Sequence, residues 1–229
     1  MALPKMKQPI FELILPSNKR SIRFRPFTVA EEKLLMFARE SDDVKDVINV
    51  YKQLINNCIL DTIDVDKMSY FDLEYFFLML RAKSVSNIVE LQVKDEDGHT
   101  YNIQANLEEV QISQAKMDKL IDLGSGFKVM MKYPSYETIS MLQNMSTDET
   151  LALIRDCIEQ IYEGETVYET SEYSTIEMDE FVLSLGTKEM MKIKEFFEDM
   201  PKVYMDLTYK TKAGEDKQVK IEGIQSFFE

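Results

Sequence analysis

Ile22-Arg23-Phe24-Arg25-Pro26 runs from a strand-like alternation straight into a helical pattern. Val129-Met130-Met131-Lys132-Tyr133-Pro134 does the same in the second half, again with proline just past the strand. Amphipathic helical sequence follows in each half, with one cysteine in an apolar stretch: Ile55-Asn56-Asn57-Cys58-Ile59 and Ile154-Arg155-Asp156-Cys157-Ile158. A helical block rich in Phe and Leu comes next, and each half closes on a charged hairpin. These hairpins run from Ile88 to Val110 around Asp97-Gly98 and from Val203 to Ile224 around Ala213-Gly214. The offset between copies drifts from 99 to 116 residues, so insertions separate them. The reading is an α+β fold in which helices pack with small antiparallel β-hairpins. One strand-helices-hairpin unit occurs twice, as a first copy 1–112 and a second copy 113–229.

Working outward, Phe11-Glu12-Leu13-Ile14-Leu15 and Ile22-Arg23-Phe24 flank Pro16 to Arg20, which predicts a β-hairpin. Thr28 with Glu31 has the spacing of a capping box that opens a helix. Val44, Val47, Ile48, Tyr51, Leu54, Ile55, Cys58 and Ile59 form one apolar stripe at helical spacing. Ser69 with Asp72 resembles another cap. The helix behind it, Tyr70 to Ala82, is apolar on several sides and so belongs inside a core or against a partner. In the second half Ser146 with Glu149 has capping-box spacing, and Leu151, Ile154, Ile158 and Ile161 continue as a helical stripe. Glu163 to Ser174 is a polar, exposed insertion. Met178, Phe181, Val182 and Leu185 lead up to Gly186, Thr187 restarts the helix, and Pro201 closes it.

The 229 residues are enough to bury a core, and 45% hydrophobic with 30% charged residues describes an ordinary soluble globular chain. A net charge of −14 argues against general nucleic-acid binding, which needs cations to neutralise phosphates. The charge is uneven. Residues 1–27 hold Lys5, Lys7, Lys19, Arg20, Arg23 and Arg25 against Glu12 alone, whereas 115–229 is acidic. A basic arm on an acidic body suits docking onto an acidic neighbour, a second copy of the chain included; a solvated hairpin edge is the bland alternative. Two cysteines give no disulfide framework, and no apolar run reaches the 18 or more residues of a membrane span. The N-terminus carries no apolar stretch of the secretory type, so the expected setting is the cytoplasm.

Catalytic sequence is sparse. His99, beside a hairpin turn, is the only histidine, which leaves no imidazole cluster for a metal and no histidine-based triad. Asp61, Asp64 and Asp66 suggest a calcium loop, yet the sixth and twelfth positions counted from Asp64 are Ser69 and Tyr75 where Gly and Glu are required; helix capping accounts for them better. Gly124-Ser125-Gly126 lacks the rest of a phosphate loop and reads as a turn. Cys58 and Cys157 read as buried structural thiols. Ten of the fifteen methionines fall in the second half, and their soft side chains suit adaptable packing or a partner surface. No catalytic, cofactor or metal residue is assigned.

The opening Met-Ala-Leu-Pro, Phe11-Glu12-Leu13, Arg23-Phe24-Arg25-Pro26-Phe27 and Glu31-Glu32-Lys33 are followed by Asp72-Leu73-Glu74-Tyr75-Phe76-Phe77-Leu78 and Leu80-Arg81-Ala82-Lys83-Ser84-Val85. Together these stretches resemble the baseplate hub assembly proteins of T-even-type contractile-tailed phages; the Leu-Arg-Ala-Lys-Ser-Val run is the most specific. The second half resembles them through its length, the Met-Lys-Tyr-Pro step and the closing Phe227-Phe228. The resemblance implies a non-enzymatic protein that works through contacts with baseplate hub and other tail subunits. It leaves two alternatives open, a component that stays in the virion tail baseplate and an assembly chaperone that acts in the host cytoplasm and leaves; no nucleic acid, membrane or cofactor is expected. Arg81 and Lys83 match its motif, and Arg23, Arg25, Phe227 and Phe228 join them as expected interface residues, with self-association a further expectation. The alternatives are an acidic cytoplasmic adaptor or anti-host binding protein, and a metal-dependent hydrolase using carboxylates alone.

Overall fold

The computed structural model describes residues 6–40, 44–95, 98–135, 138, 147–212 and 214–227, and every structural statement below concerns these residues. The expected cap at Ser146 and the turn residues Asp97 and Ala213 lie outside them.

The fold is α+β, as the sequence predicts. Strands β1 (Phe11–Ile14) and β2 (Ser21–Phe24) pair antiparallel, and helices α1 (Val29–Glu40), α2 (Val44–Cys58) and α3 (Tyr70–Ser84) follow. Next come β3 (Ile88–Lys94), β4 (Thr100–Asn106) and the short β5 (Gln111–Ile112). Strands β6 (Leu120–Gly124) and β7 (Phe127–Met131), helix α4 (Thr147–Cys157), and strands β8 (Ile158–Glu163) and β9 (Thr166–Glu169) build a four-stranded antiparallel sheet with a helix in its sequence. Helices α5 (Thr175–Ser184) and α6 (Thr187–Glu198) precede the closing hairpin of β10 (Val203–Lys210) and β11 (Asp216–Glu222).

The chain forms two compact units, 1–113 with 202–229, and 114–201. The closing hairpin belongs with the first unit, not with 114–201. Its β10 pairs with β5 through Val203–Ile112 and Tyr204–Gln111, which ties residues 202–229 to that unit.

In the first unit α3 has no polar face. Phe71, Leu73, Phe76, Leu78 and Leu80 are all at most 1% exposed, and Tyr70, Phe77, Met79 and Ala82 are buried too. A helix buried all round must be covered by other elements. Phe24 of β2 meets Phe76 edge-on at 5.2 Å between ring centroids, and Tyr51 of α2 meets Phe77 at 4.8 Å. Such pairs add to the area-driven gain of burying the rings. In α2, Leu54, Ile55 and Cys58 are buried as their stripe predicts; the side chains of Val44, Val47 and Ile48 are outside the described set.

The Ser69–Asp72 cap is not formed. Ser69 makes no side-chain cap bond, and its buried Oγ has no partner among the described residues. Asp72 instead accepts the backbone N–H of Ser17 at 2.9 Å and its hydroxyl, so the carboxylate ties the β1–β2 loop to α3.

In the second unit the helical stripe expected through Ile158 and Ile161 is corrected. The helix ends at Cys157, and Ile158 begins β8. A β-bulge explains the misreading. Met130 pairs with Gln160 and Met131 with Ile158, leaving Glu159 as the extra residue. The extra residue resets the alternation, so Ile158 and Ile161 both point into the core three positions apart, which imitates helical periodicity. Glu163 to Ser174, expected as a plain polar insertion, contains β9. The turn between β6 and β7 is the Gly124-Ser125-Gly126 stretch, and its three positive φ angles (90°, 54° and 86°) account for the two glycines.

The two hairpin-to-helix junctions match in detail. In the first, Phe24 bridges to Ile59 and Arg25 N–H donates to the Cys58 carbonyl at 2.9 Å. In the second, Met131 pairs with Ile158 and Lys132 N–H donates to the Cys157 carbonyl at 2.8 Å. Each cysteine-ended helix thus hands its last carbonyl to the residue after a hairpin strand, which satisfies a group the helix leaves open.

Glu74 of α3, 8% exposed, accepts one long hydrogen bond, from Ile224 N–H at 3.4 Å. Burial pushes its carboxyl up to about 7 from the ordinary 4.5. The folded chain therefore holds this proton where the unfolded chain has lost it, and stability falls as pH rises from 4.5 to 7. The expected loss across that window is about 3 kcal/mol, from the conversion of pKa units to free energy. Glu74→Gln should remove this dependence and stabilise the protein at pH 8 while changing little at pH 4.5, measured by urea denaturation across pH.

Candidate interaction site

The Leu80-Arg81-Ala82-Lys83-Ser84-Val85 run is the last turn of α3 and its exit. Its polar side chains each reach a different element. Ser84 Oγ donates to the Leu80 carbonyl at 2.6 Å and accepts Phe27 N–H at 3.0 Å, joining α3 to the segment after β2. Lys83 forms an ion pair with Glu108 beyond β4 and lies 5.4 Å from the ring centre of Phe11 in β1. Arg81 Nη1 donates to the Ser86 carbonyl at 3.2 Å, closing the turn out of the helix. Burial lowers the Arg81 pKa, with Glu32 opposing.

A second knot forms where β2 ends. The Arg25 guanidinium grips Glu31 at 3.0 and 3.3 Å and donates to the Pro26 and Asn57 carbonyls at 3.0 and 2.9 Å. Glu31 also accepts the N–H and hydroxyl of Thr28 at 2.7 and 2.5 Å, so the expected Thr28–Glu31 spacing does serve the start of α1. These donors, Arg25 first, hold the Glu31 carboxyl down at about 2. Its contribution to stability is present above the ordinary 4.5 and is lost as pH falls toward 2, a window separate from that of Glu74.

Arg23 makes its own fork with Asp61 at 3.0 and 2.6 Å, and its backbone N–H donates to the same carboxylate at 2.6 Å. Unlike Arg25, its side chain is 61% exposed. Asp61 is thereby accounted for, and its neighbours are too: Asp64 caps the turn 65–67 and pairs with Lys67, and Asp66 pairs with Lys52.

The expected interface residues differ in their surroundings. Arg25, Arg81 and Lys83 are engaged within the first unit, Arg23 is paired but accessible, and Phe227 is a core residue at 1% exposure. Phe228 lies outside the described residues. Sequence reasoning missed Asp72 and Glu74 as buried acids, although two carboxylates inside an otherwise apolar helix were the available signal.

Cys58 and Cys157 are buried and unpaired with each other, and burial pushes them to about 11 and about 12, so both remain thiols at neutral pH. Among the described residues no group of three or more His, Cys, Asp or Glu is arranged to hold a metal ion. No described helix is long and apolar enough to cross a membrane.

A family model described as T4 bacteriophage base plate protein matches residues 6–229. The chain belongs to that family. It is a phage base plate protein, and the family brings contact with other base plate or tail proteins and a place in the virion tail. No curated protein and no solved structure matches the chain.

The geometry ranks the cations of this base plate protein by their work in the fold. Arg25→Ala removes a charge-assisted network that joins three elements and should cost about 2 kcal/mol. Arg23→Ala loses a solvent-screened pair and should cost clearly less than Arg25→Ala. Chemical denaturation of the two variants checks the order.

Proposed function

We propose that this base plate protein acts in the assembly or structure of the baseplate hub, through contacts with hub and other tail subunits and without catalysis. The observation that carries the reading is the family match across residues 6–229, taken with the hub-assembly resemblance concentrated in Leu80–Val85. Its most perturbed groups have packing roles: Glu31 with Arg25 and Thr28, Glu74 against Ile224, and the two cysteines at the helix ends.

In this reading the chain is a duplicated scaffold. The matched junctions at Cys58 and Cys157 support descent from one strand-helices-hairpin unit, with the β8–β9 hairpin an addition to the second copy. Among the expected interface cations, Arg23 is the contact offered to a neighbour, because its side chain is 61% exposed. Arg25, Arg81 and Lys83 act one step back by holding the hairpins that present such surface.

Quantitative mass spectrometry of purified virions, scaled to a known base plate subunit, tests the proposal. A stoichiometric signal identifies a structural hub component. Absence from virions with presence on partly assembled hubs identifies an assembly factor. Absence from both overturns the hub reading.

A further inference from the structure

The second unit carries an apolar groove of about 300 Å³ lined by Phe127, Ile161, Tyr168, Tyr173, Met178 and Phe181. It lies among the β7–β8–β9 face, the turn after β9 and α5. Two carboxylates, Glu163 and Glu177, complete the lining. Glu163 accepts the Tyr168 hydroxyl at 2.8 Å, and Glu177 forms the capping box of α5 with Ser174. Among the described residues neither has a Lys or Arg partner. The charge around them is one-sided: from Asp156 to Thr187 the sequence holds nine acids and no Lys or Arg. Apolar side chains neighbouring the lining in sequence remain in water, with Val167 46% and Ile176 71% exposed. A groove of this kind fits an apolar anchor flanked by cations.

The chain itself carries such a segment. Lys5-Met6-Lys7-Gln8-Pro9-Ile10 places a methionine between two lysines and an isoleucine four residues on. Residues 6–10 belong to no helix or strand, and Met6 and Ile10 are 88% and 63% exposed. Met is unbranched and adapts to an irregular pocket, and Pro9 restricts the segment before binding.

We propose that the Phe127–Tyr168–Phe181 groove receives the Met6–Ile10 segment of a second copy of this chain. Met6 fills the aromatic pocket while the lysines beside it face the acidic surround. The contact is head-to-tail, so repeating it yields a ring or an open chain according to its rotation. The assignment rests on the contact-based reading above and names the surface by which copies join.

Sedimentation velocity of the full chain over a concentration series tests it, with methionine-methyl NMR as the site-resolved readout. The expected result is concentration-dependent association in which the Met6 and Met178 signals shift together. Met6→Ser with Ile10→Ser, and separately Tyr173→Ser, should each weaken association about tenfold or more, the scale of losing one buried apolar anchor. Unchanged thermal unfolding of each variant separates this from misfolding. A single monomeric species at every concentration overturns the proposal. So does association that both variants leave untouched, or a Met6 that contacts the groove while the chain stays monomeric. Sedimentation and virion content are independent, so failure of the self-contact is distinguishable from failure of the hub reading.

Discussion

The first unit depends on α3 being buried on every side. A helix with one apolar stripe needs one neighbour, but Phe71, Phe76, Phe77, Leu78 and Leu80 point in different directions and need several. The β1–β2 hairpin supplies Phe24, α2 supplies Tyr51, and the C-terminal turn closes over Glu74 with Ile224 and Phe227 buried. This demand explains why residues 202–229, last in the chain, belong to the unit that contains its first strands. Without them, part of α3 would face water.

Polar groups then give that packing its register. Apolar burial is non-directional, whereas the bonds from Asp72 to Ser17, from Ser84 to Phe27 and from Lys83 to Glu108 each specify one partner. These contacts recast the most recognisable stretch of the sequence. Leu80–Val85 reads like a binding motif because its residue types are so particular, yet Arg81, Lys83 and Ser84 are bonded to groups of the same unit, while Val85 stays 59% exposed.

Local order was well represented in the sequence. The hairpins, the apolar stripe of α2, the restart at Thr187 and the turn at Gly124–Gly126 were legible because each rests on near-neighbour patterns: alternation, helical spacing, capping or positive φ. Three features were not. The bulge at Glu159 produced a three-residue spacing that only pairing with β7 reveals as strand. Asp72 looked like the partner of Ser69 because capping spacing is local, while its real partner is 55 positions away. The acidic groove needed β7, β8, β9 and α5 brought together, although the run without cations from Asp156 to Thr187 was already written in the chain. The basic residues were seen, but their charge partners Glu31, Asp61 and Glu108 could be assigned only in space.

Native-state hydrogen exchange, resolved by residue along α3 and β10, measures the central claim directly. If α3 is the element on which the first unit closes, amides from Leu78 to Ser84 should exchange only through global unfolding, with the same denaturant dependence as those of Val203 and Met205 in β10. Exchange of α3 through a lower-energy local opening, while β10 stayed protected, would contradict that account.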